Sequence, residues 1–184
     1  MRLICGKIYL VFRKAVMFTV GILTISDKGS QGQRQDKSGE VIRESLSQLG
    51  SHVAKYDIVP DEHEVIAGKL AEWADGGEVD VILTTGGTGL SRRDVTPEAT
   101  LSVVDKSAPG FAEAMRIRSL EKTPMAVLSR ATAGIRGECL IINLPGSPKA
   151  VRECLEVVLP VLPHAVEIIK GEVTEHTCQD AGRS

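Results

Sequence analysis

The order of apolar and polar positions along the chain predicts buried strands that alternate with amphipathic helices. Strands are predicted at residues 18–26, 53–59, 79–84 and 140–144, of which 18–26 and 140–144 are apolar runs typical of strands buried on both faces. Apolar residues at helical spacing occupy residues 38–49 and 61–74, and Gly50 is a helix-stop residue after the first of these segments. Two successive strand–helix–strand units favour right-handed crossovers. We therefore expect an α/β fold with a mostly parallel central sheet.

The remaining pattern is less regular. Further helices are predicted at residues 96–104, 110–120 and 147–159, with a break at Pro160 and a last helix at 163–170. Residues 125–128 are predicted to form an irregular strand. The polar residues 27–37 are predicted to form a loop without structure of its own. Long loops in compact domains are more often functional than ordinary connections are.

Composition narrows the class of protein. Hydrophobic residues make up 42% of the 184 residues but aromatic residues only 3%, which favours an α/β core of small aliphatic side chains. The formal net charge of −2 gives no broad electrostatic reason to expect nucleic acid or an anionic membrane surface as a partner. No apolar run reaches the roughly 18 residues that a membrane span needs. Any anionic ligand must therefore be bound by local groups.

The cysteines and the two ends of the chain set the expected compartment and domain bounds. The cysteines are widely spaced and form no C-x-x-C pair, so a reducing, cytoplasmic compartment fits better than a zinc site or a disulfide framework. We expect one domain at residues 17–171 and a flexible polar tail at 172–184. Residues 1–16 lack the features of a secretory signal, and we interpret them as an N-terminal extension before a true start at Met17 rather than as a targeting peptide.

A glycine-rich turn is the most informative segment. Residues 84–89 read Thr-Thr-Gly-Gly-Thr-Gly and lie between a buried strand and a predicted helix start. At the carboxyl edge of a sheet, glycines permit close backbone approach and exposed N–H groups can hold an anion. The turn lacks the ending of a P-loop and the third glycine of a dinucleotide fingerprint. A tight turn without a ligand is the alternative, but three glycines and three threonines favour phosphate binding.

Asp94 is the first candidate for metal-assisted chemistry. Thr96 and Pro97 already suit the N-cap and first position of the next helix, so Asp94 is not needed for capping. An ion pair with Arg92 or Arg93 is the plain alternative. Beside a phosphate-binding turn, however, a carboxylate can hold Mg²⁺ while an arginine pairs with phosphate.

Asp61 is the second candidate. Together with Glu64 it forms a capping-box pattern, and helix capping is its first interpretation. The end of a second parallel strand also lies at the carboxyl edge of the sheet, so Asp61 could face the same crevice as Asp94. Two carboxylates and a phosphate-binding turn suggest metal-assisted phosphoryl chemistry.

Two further segments are weaker candidates. Residues 144–148, Leu-Pro-Gly-Ser-Pro, repeat the pattern of strand, glycine turn and helix start, which serves helix initiation or a second ligand contact. The polar pair Ser129 and Arg130 could contribute hydroxyl or guanidinium contacts. The four histidines show no spacing typical of metal ligands.

Taken together, these motifs resemble a known family. The segments 21–27, 59–62, 84–89, 94–98, 128–130, 134–137 and 142–148 are similar, in this order, to those of the Mog/MoaB molybdenum cofactor family. They are also similar to the G domains of plant and animal cofactor enzymes. The resemblance implies a three-layer α/β/α fold and a homotrimer. It also implies an adenylyltransferase that uses ATP and Mg²⁺ to adenylylate the phosphate of molybdopterin, with release of pyrophosphate, before molybdate insertion.

The resemblance also assigns residues and partners. It implies that Asp61 and Asp94 are catalytic residues and ligands of Mg²⁺. The candidate ligand-binding residues are Ser26, Asp27, Thr85, Gly86, Gly87, Thr88, Gly89, Glu98, Ser129, Arg130, Pro145, Gly146 and Ser147. A molybdenum-insertion protein downstream is a possible further partner. Two alternatives stay open, a MoaB-type protein that binds a pterin without productive adenylylation and a non-catalytic trimeric scaffold.

Overall fold

The computed structural model describes residues 18–47 and 51–172. These residues form a six-stranded sheet in the order β2-β1-β3-β6-β5-β4. The strands are β1 (Thr19–Ile25), β2 (His52–Val59), β3 (Val81–Thr85), β4 (Lys106–Ser107), β5 (Ala133–Arg136) and β6 (Cys139–Leu144). The strands β2, β1, β3 and β6 are parallel, whereas β5 pairs antiparallel with both of its neighbours, β6 and β4. The mostly parallel sheet expected from the sequence is confirmed.

Helices occupy most of the chain between the strands. They are α1 (Asp27–Ser30), α2 (Lys37–Ser47), α3 (His63–Asp75), α4 (Thr96–Val103), α5 (Pro109–Leu120), α6 (Pro148–Val158) and α7 (Leu162–Ile169). Short 3₁₀ helices lie at Pro124–Leu128 and Leu159–Val161. The predicted stop at Gly50, the N-terminal extension and nearly all of the predicted tail lie outside the described residues. Within the described residues, no helix is long and apolar enough to cross a membrane.

The helices cover both faces of the sheet. On one face, α2, α5, α6 and α7 pack against the strands around a core that includes Phe18, Ile42 and Leu155. On the other face, α3 and α4 pack around a second core that includes Ile66 and Trp73. The strands β3 and β6 are therefore buried on both sides, which is why their sequences are continuous apolar runs. The three-layer α/β/α architecture is confirmed.

Two predictions of local structure are wrong. The predicted loop at 27–37 begins with α1, because the Ser26 side chain accepts a hydrogen bond from the Gly29 amide as an N-cap. The predicted strand at 125–128 is a 3₁₀ helix, in which Pro124 takes a first-turn position and the Thr123 side chain accepts from the Met125 amide. In both segments a capping side chain decides the structure.

The short strands β4 and β5 were not anticipated from the hydrophobic pattern. β4 contains only two residues, both exposed. β5 contains Gly134, where a Cβ atom would lie 2.7 Å from Val104 Cγ1. Because pairing with β6 holds this segment, its strand structure depends on tertiary contacts rather than on a local apolar run.

Two predicted helix starts also differ in detail. Thr96 is not the N-cap of α4; it lies inside the first turn, fully buried, while Val95 takes the cap position. Asp61 does not cap α3, because Glu62 occupies the cap position and makes no side-chain cap hydrogen bond. The side chains of Thr96 and Asp61 are therefore available for other contacts.

Candidate functional site

A cavity of about 760 Å³ lies where the carboxyl ends of the parallel strands meet. The end of β1, the glycine turn after β3 and the turn after β6 all contribute to its wall. The predicted site residues that line it are Ser26, Asp61, Thr85, Gly86, Gly87, Gly146 and Ser147. The crossovers thus bring together side chains that are far apart in the sequence. The volume falls in the range typical of small-molecule sites.

The turn after β3 has a backbone that suits only glycine at two positions. Gly86 has a φ of 103° and Gly87 a φ of 62°. A Cβ atom at Gly86 would lie 2.3 Å from the carbonyl oxygen of Ile25, and one at Gly87 would lie 2.3 Å from the Thr96 hydroxyl. The Thr96 hydroxyl also donates a hydrogen bond to the Gly86 carbonyl at 2.9 Å. The turn is therefore held tightly between β1 and the start of α4.

The turn after β6 packs directly beside the glycine turn. The Thr85 hydroxyl donates to the Pro145 carbonyl at 2.7 Å, and the Ser38 hydroxyl donates to the Gly146 carbonyl at 2.9 Å. The Ser147 side chain accepts from the Ala150 amide as the N-cap of α6. These bonds place the N-terminus of α6 at the cavity, where the helix dipole favours a negatively charged group.

Another part of the cavity wall comes from a segment whose side chains the sequence did not single out. It consists of Arg34, Gln35, Asp36, Lys37 and Ser38. The segment brings two positive charges, Arg34 and Lys37, to a cavity that also contains the carboxylate of Asp61. The only sequence signal was the unusual length of the polar stretch between β1 and the next long helix.

Asp36 fixes this wall to the sheet. Its carboxylate accepts hydrogen bonds from the hydroxyls of Thr24 and Tyr56 and from the Gly39 amide. Burial and the hydrogen bond to Asp36 raise the pKa of Tyr56, so its hydroxyl stays protonated and donates. The start of α2 is therefore tied to both β1 and β2.

Asp61 and Asp27 form a reciprocal pair across the ends of β1 and β2. The Asp27 amide donates to Asp61 Oδ2 at 2.9 Å, and the Asp61 amide donates to Asp27 Oδ1 at 3.0 Å. Arg93 binds both oxygens of Asp27, with Nη2 at 2.7 Å from Oδ1 and 2.9 Å from Oδ2. This guanidinium holds the pKa of Asp27 below its usual value.

The electrostatics of Asp61 differ from those of Asp27. Burial raises the pKa of Asp61, and the negative charges of Asp27 and Asp94 raise it further. The Asp27 amide and the charge of Arg93 offset only part of this effect. A cation at this position would relieve the repulsion between the carboxylates.

Asp94 lies on the turn that follows the glycines, outside the lining of the cavity. Its Oδ2 accepts from the Ser91 amide at 2.8 Å, and a Cβ atom at Gly89 would lie 2.9 Å from the same oxygen. The suggested ion pair between Asp94 and a neighbouring arginine is wrong for Arg93, which binds Asp27 instead. Among the described residues, the Asp94 carboxylate forms no salt bridge and is oriented by the Ser91 amide of its own turn.

The donor set fits Mg²⁺. The hydrogen bonds within the described chain use only Oδ2 of Asp61 and only Oδ2 of Asp94, which leaves one oxygen of each carboxylate open. Among the described residues, no group of three or more histidine, cysteine or acidic side chains could form an all-protein metal cage. Mg²⁺ typically binds one or two carboxylates together with substrate phosphates, and it keeps several waters.

The other predicted ligand-binding residues are not among those that line the cavity. They are Asp27, Thr88, Gly89, Glu98, Ser129, Arg130 and Pro145. Arg130 and Glu98 bind each other, and Thr88 is a buried residue of the glycine turn. Pro145 still shapes the wall, because its carbonyl accepts the Thr85 hydroxyl. Asp27 and Pro145 therefore hold residues that line the cavity, although they do not line it themselves.

The fold and this edge of the sheet define a class of protein. A three-layer α/β domain with two apposed glycine turns, basic side chains and a pair of partly open carboxylates is suited to bind a phosphorylated ligand together with a divalent cation. The family model described as a probable molybdopterin binding domain matches residues 21–164 of this chain. The chain belongs to this molybdopterin-binding family.

Relatives within the family are similar over almost their whole length. The molybdopterin adenylyltransferase of Helicobacter pylori strain J99 is 49% identical over 154 residues, which cover 83% of this chain and 88% of that protein. The molybdopterin adenylyltransferase of Escherichia coli K12 is 39% identical over 170 residues, covering 85% and 87%. The crystal structure of the molybdopterin biosynthesis enzyme MoaB from Thermus thermophilus superposes with a TM-score of 0.80 and 57% identity, covering 84% and 98%.

Proposed function

We propose that this chain is a molybdopterin adenylyltransferase of molybdenum cofactor biosynthesis. It transfers the adenylyl group of ATP to the terminal phosphate of molybdopterin and releases pyrophosphate. The observation that carries the proposal is the cavity at the carboxyl edge of the sheet, where two glycine turns and Asp61 meet. The adenylyltransferase names of the Helicobacter and Escherichia relatives support it.

The reaction needs positioning and charge neutralisation rather than a covalent enzyme intermediate. A phosphate oxygen of molybdopterin attacks the α-phosphorus of ATP, the bond between the α-phosphorus and the bridging oxygen breaks, and pyrophosphate leaves. Gly86, Gly87 and the N-terminus of α6 line the cavity, where their backbone amides can donate to the anionic groups, and Arg34 and Lys37 add positive charge. When bound at Asp61 and Asp94, Mg²⁺ supplies further charge neutralisation on the nucleotide phosphates.

Assembly and compartment belong to the same proposal. We expect a homotrimer in the cytoplasm that passes adenylylated molybdopterin to a molybdenum-insertion protein. Support for a reducing compartment comes from Cys139 and Cys154, which are free and buried. Burial raises the pKa of Cys139 to about 12, so this thiol has the character of a core residue rather than of a nucleophile.

The test is a turnover assay with an isosteric variant. Purified protein is incubated with molybdopterin, ATP and Mg²⁺, and adenylyl-molybdopterin and pyrophosphate are measured together. Asp94→Asn is expected to keep the fold and molybdopterin binding while turnover falls by roughly 100-fold or more, because even groups outside the direct ligands of a metal contribute 10- to 100-fold. Asp57→Asn is the matched control, since Asp57 pairs with Lys69 on the surface.

Each result separates the candidate functions. Product that depends on Asp94 and not on Asp57 supports the transferase. Molybdopterin binding without product from the wild-type chain would indicate a binding-only MoaB-type protein. Failure to bind either molybdopterin or ATP would favour the scaffold alternative. Turnover of Asp94→Asn near the wild-type value would assign Asp94 to a structural role.

A further inference from the structure

We propose that Arg130 is a positioning residue that holds the turn carrying Asp94. Its Nε donates to the carbonyl oxygen of Gly89 at 2.6 Å, and its Nη2 donates to the carbonyl oxygen of Asp94. Its Nη1 is bound to the carboxylate of Glu98 in the first turn of α4. One guanidinium therefore fastens both ends of the 89–94 turn. This inference rests on the proposed function only where it concerns Mg²⁺ and turnover.

The 89–94 turn has little else to fix its position. Residues 90–93 are exposed, and Leu90 is 65% exposed, so apolar packing contributes little. Hydrogen bonds between Ser91 and Asp94 close the turn on itself without attaching it to the domain. Within residues 18–47 and 51–172, the other long-range attachment is the pair between Arg93 and Asp27, in which the arginine is more exposed than Arg130. The Arg130 contacts are thus the better-shielded attachment.

Arg130 is itself anchored to the helical layer. Its amide donates to the Thr88 carbonyl at 2.9 Å, so the segment 129–131 is also bonded to the glycine turn. Arg116 of α5 donates to the carbonyl of Ala131 at 2.8 Å and to that of Ser129 at 3.4 Å. A chain of polar contacts therefore runs from α5 through residues 129–131 to the backbone of Asp94. All three nitrogens of the Arg130 guanidinium are used in these protein contacts, and Arg130 does not line the cavity.

The chemistry of the contact requires arginine. The planar guanidinium presents several donors in a fixed fork, and it reaches two carbonyls and a carboxylate at once. Lysine retains the charge but concentrates its donors at one nitrogen. In Arg130→Lys and Arg130→Met the turn is therefore released at one or both ends, and the open oxygen of Asp94 loses its fixed position.

The first test uses the protein without ligand or metal. Hydrogen exchange of the backbone amides at 90–95 is compared in the wild type, Arg130→Lys, Arg130→Met and a control, Arg136→Lys. Arg136 makes a similar set of contacts, to the Asp75 carboxylate and the Val103 carbonyl, at a distant edge of the domain. We expect amide exchange in this segment to be about tenfold faster in both Arg130 variants. This factor corresponds to the loss of a contact of about 1.4 kcal/mol. The Arg136 variant is expected to match the wild type.

The second test separates positioning from ligand binding. A released Asp94 raises the Mg²⁺ concentration for half-maximal turnover by about tenfold and lowers kcat, while the KM for molybdopterin is unchanged. A direct contact to the substrate phosphate would instead raise that KM. Unchanged exchange at 90–95 together with a raised KM would overturn the proposal, as would unchanged exchange with unchanged kinetics. If the wild type makes no product but exchange is faster in the Arg130 variants, the positioning role stands and the proposed function fails.

Discussion

The close packing of the glycine turn against β1 leads to a quantitative prediction. In Gly86→Ala the new methyl group would lie 2.3 Å from the Ile25 carbonyl oxygen, and the residue would have to adopt a φ of 103°. A non-glycine residue in such a conformation costs about 1–3 kcal/mol. Relief of the overlap with backbone costs about a further 1–3 kcal/mol. We therefore expect the free energy of unfolding to fall by about 4 kcal/mol.

A second glycine isolates the contribution of the close contact. Gly77 has a φ of 71°, but a Cβ atom there would meet nothing within 4 Å. Gly77→Ala should therefore lower the free energy of unfolding by only about 1–2 kcal/mol, the cost of placing alanine in a left-handed backbone conformation. The effect of alanine on the entropy of the unfolded chain is common to both variants, so it cancels when they are compared. Gly86→Ala should be less stable than Gly77→Ala by about 2 kcal/mol or more.

The assay is urea-induced unfolding of both variants and the wild type, combined with ATP binding. Gly77→Ala is expected to bind ATP like the wild type because Gly77 lies between α3 and β3, outside the lining of the cavity. Gly86→Ala is expected to lose most of its affinity, because the amides of the turn are displaced. Equal unfolding free energies for the two variants, with ATP affinity retained, would refute the close packing of the turn against β1.

Two further predictions concern buried polar contacts. Burial alone would raise the pKa of Asp80, but Lys170 and the amide and hydroxyl of Thr19 outweigh it and hold the pKa below 3.8. Asp80→Asn should therefore lower the free energy of unfolding by about 2 kcal/mol at pH 7. The difference between variant and wild type should shrink as the pH falls below 3.8, because the Asp80 carboxylate of the wild type then becomes protonated. Urea denaturation at several pH values measures this difference. Asn143→Ala should lower the free energy of unfolding by about 3 kcal/mol, measured in urea, because it removes two hydrogen bonds to buried threonine hydroxyls and leaves a cavity. A variant as stable as the wild type would show that these hydrogen bonds contribute nothing to stability.

Local sequence signals were sufficient to determine most of the architecture. The strands β1, β3 and β6 were recognisable because burial on both faces requires continuous apolar runs, and the covering helices because burial on one face requires helical spacing. The glycine turn was recognisable because Gly86 and Gly87 adopt backbone conformations that other residues avoid. These features depend on neighbours within one turn or one strand.

The tertiary structure alone decided which polar groups meet. Arg93 could pair with Asp94 beside it, yet it binds Asp27, which is 66 positions away. Arg130 had the chemistry of a phosphate ligand, yet the fold places its guanidinium against Gly89, 41 positions away. Such choices depend on the three-dimensional path of the crossovers and on which donors and acceptors burial leaves without water, and no local pattern encodes them.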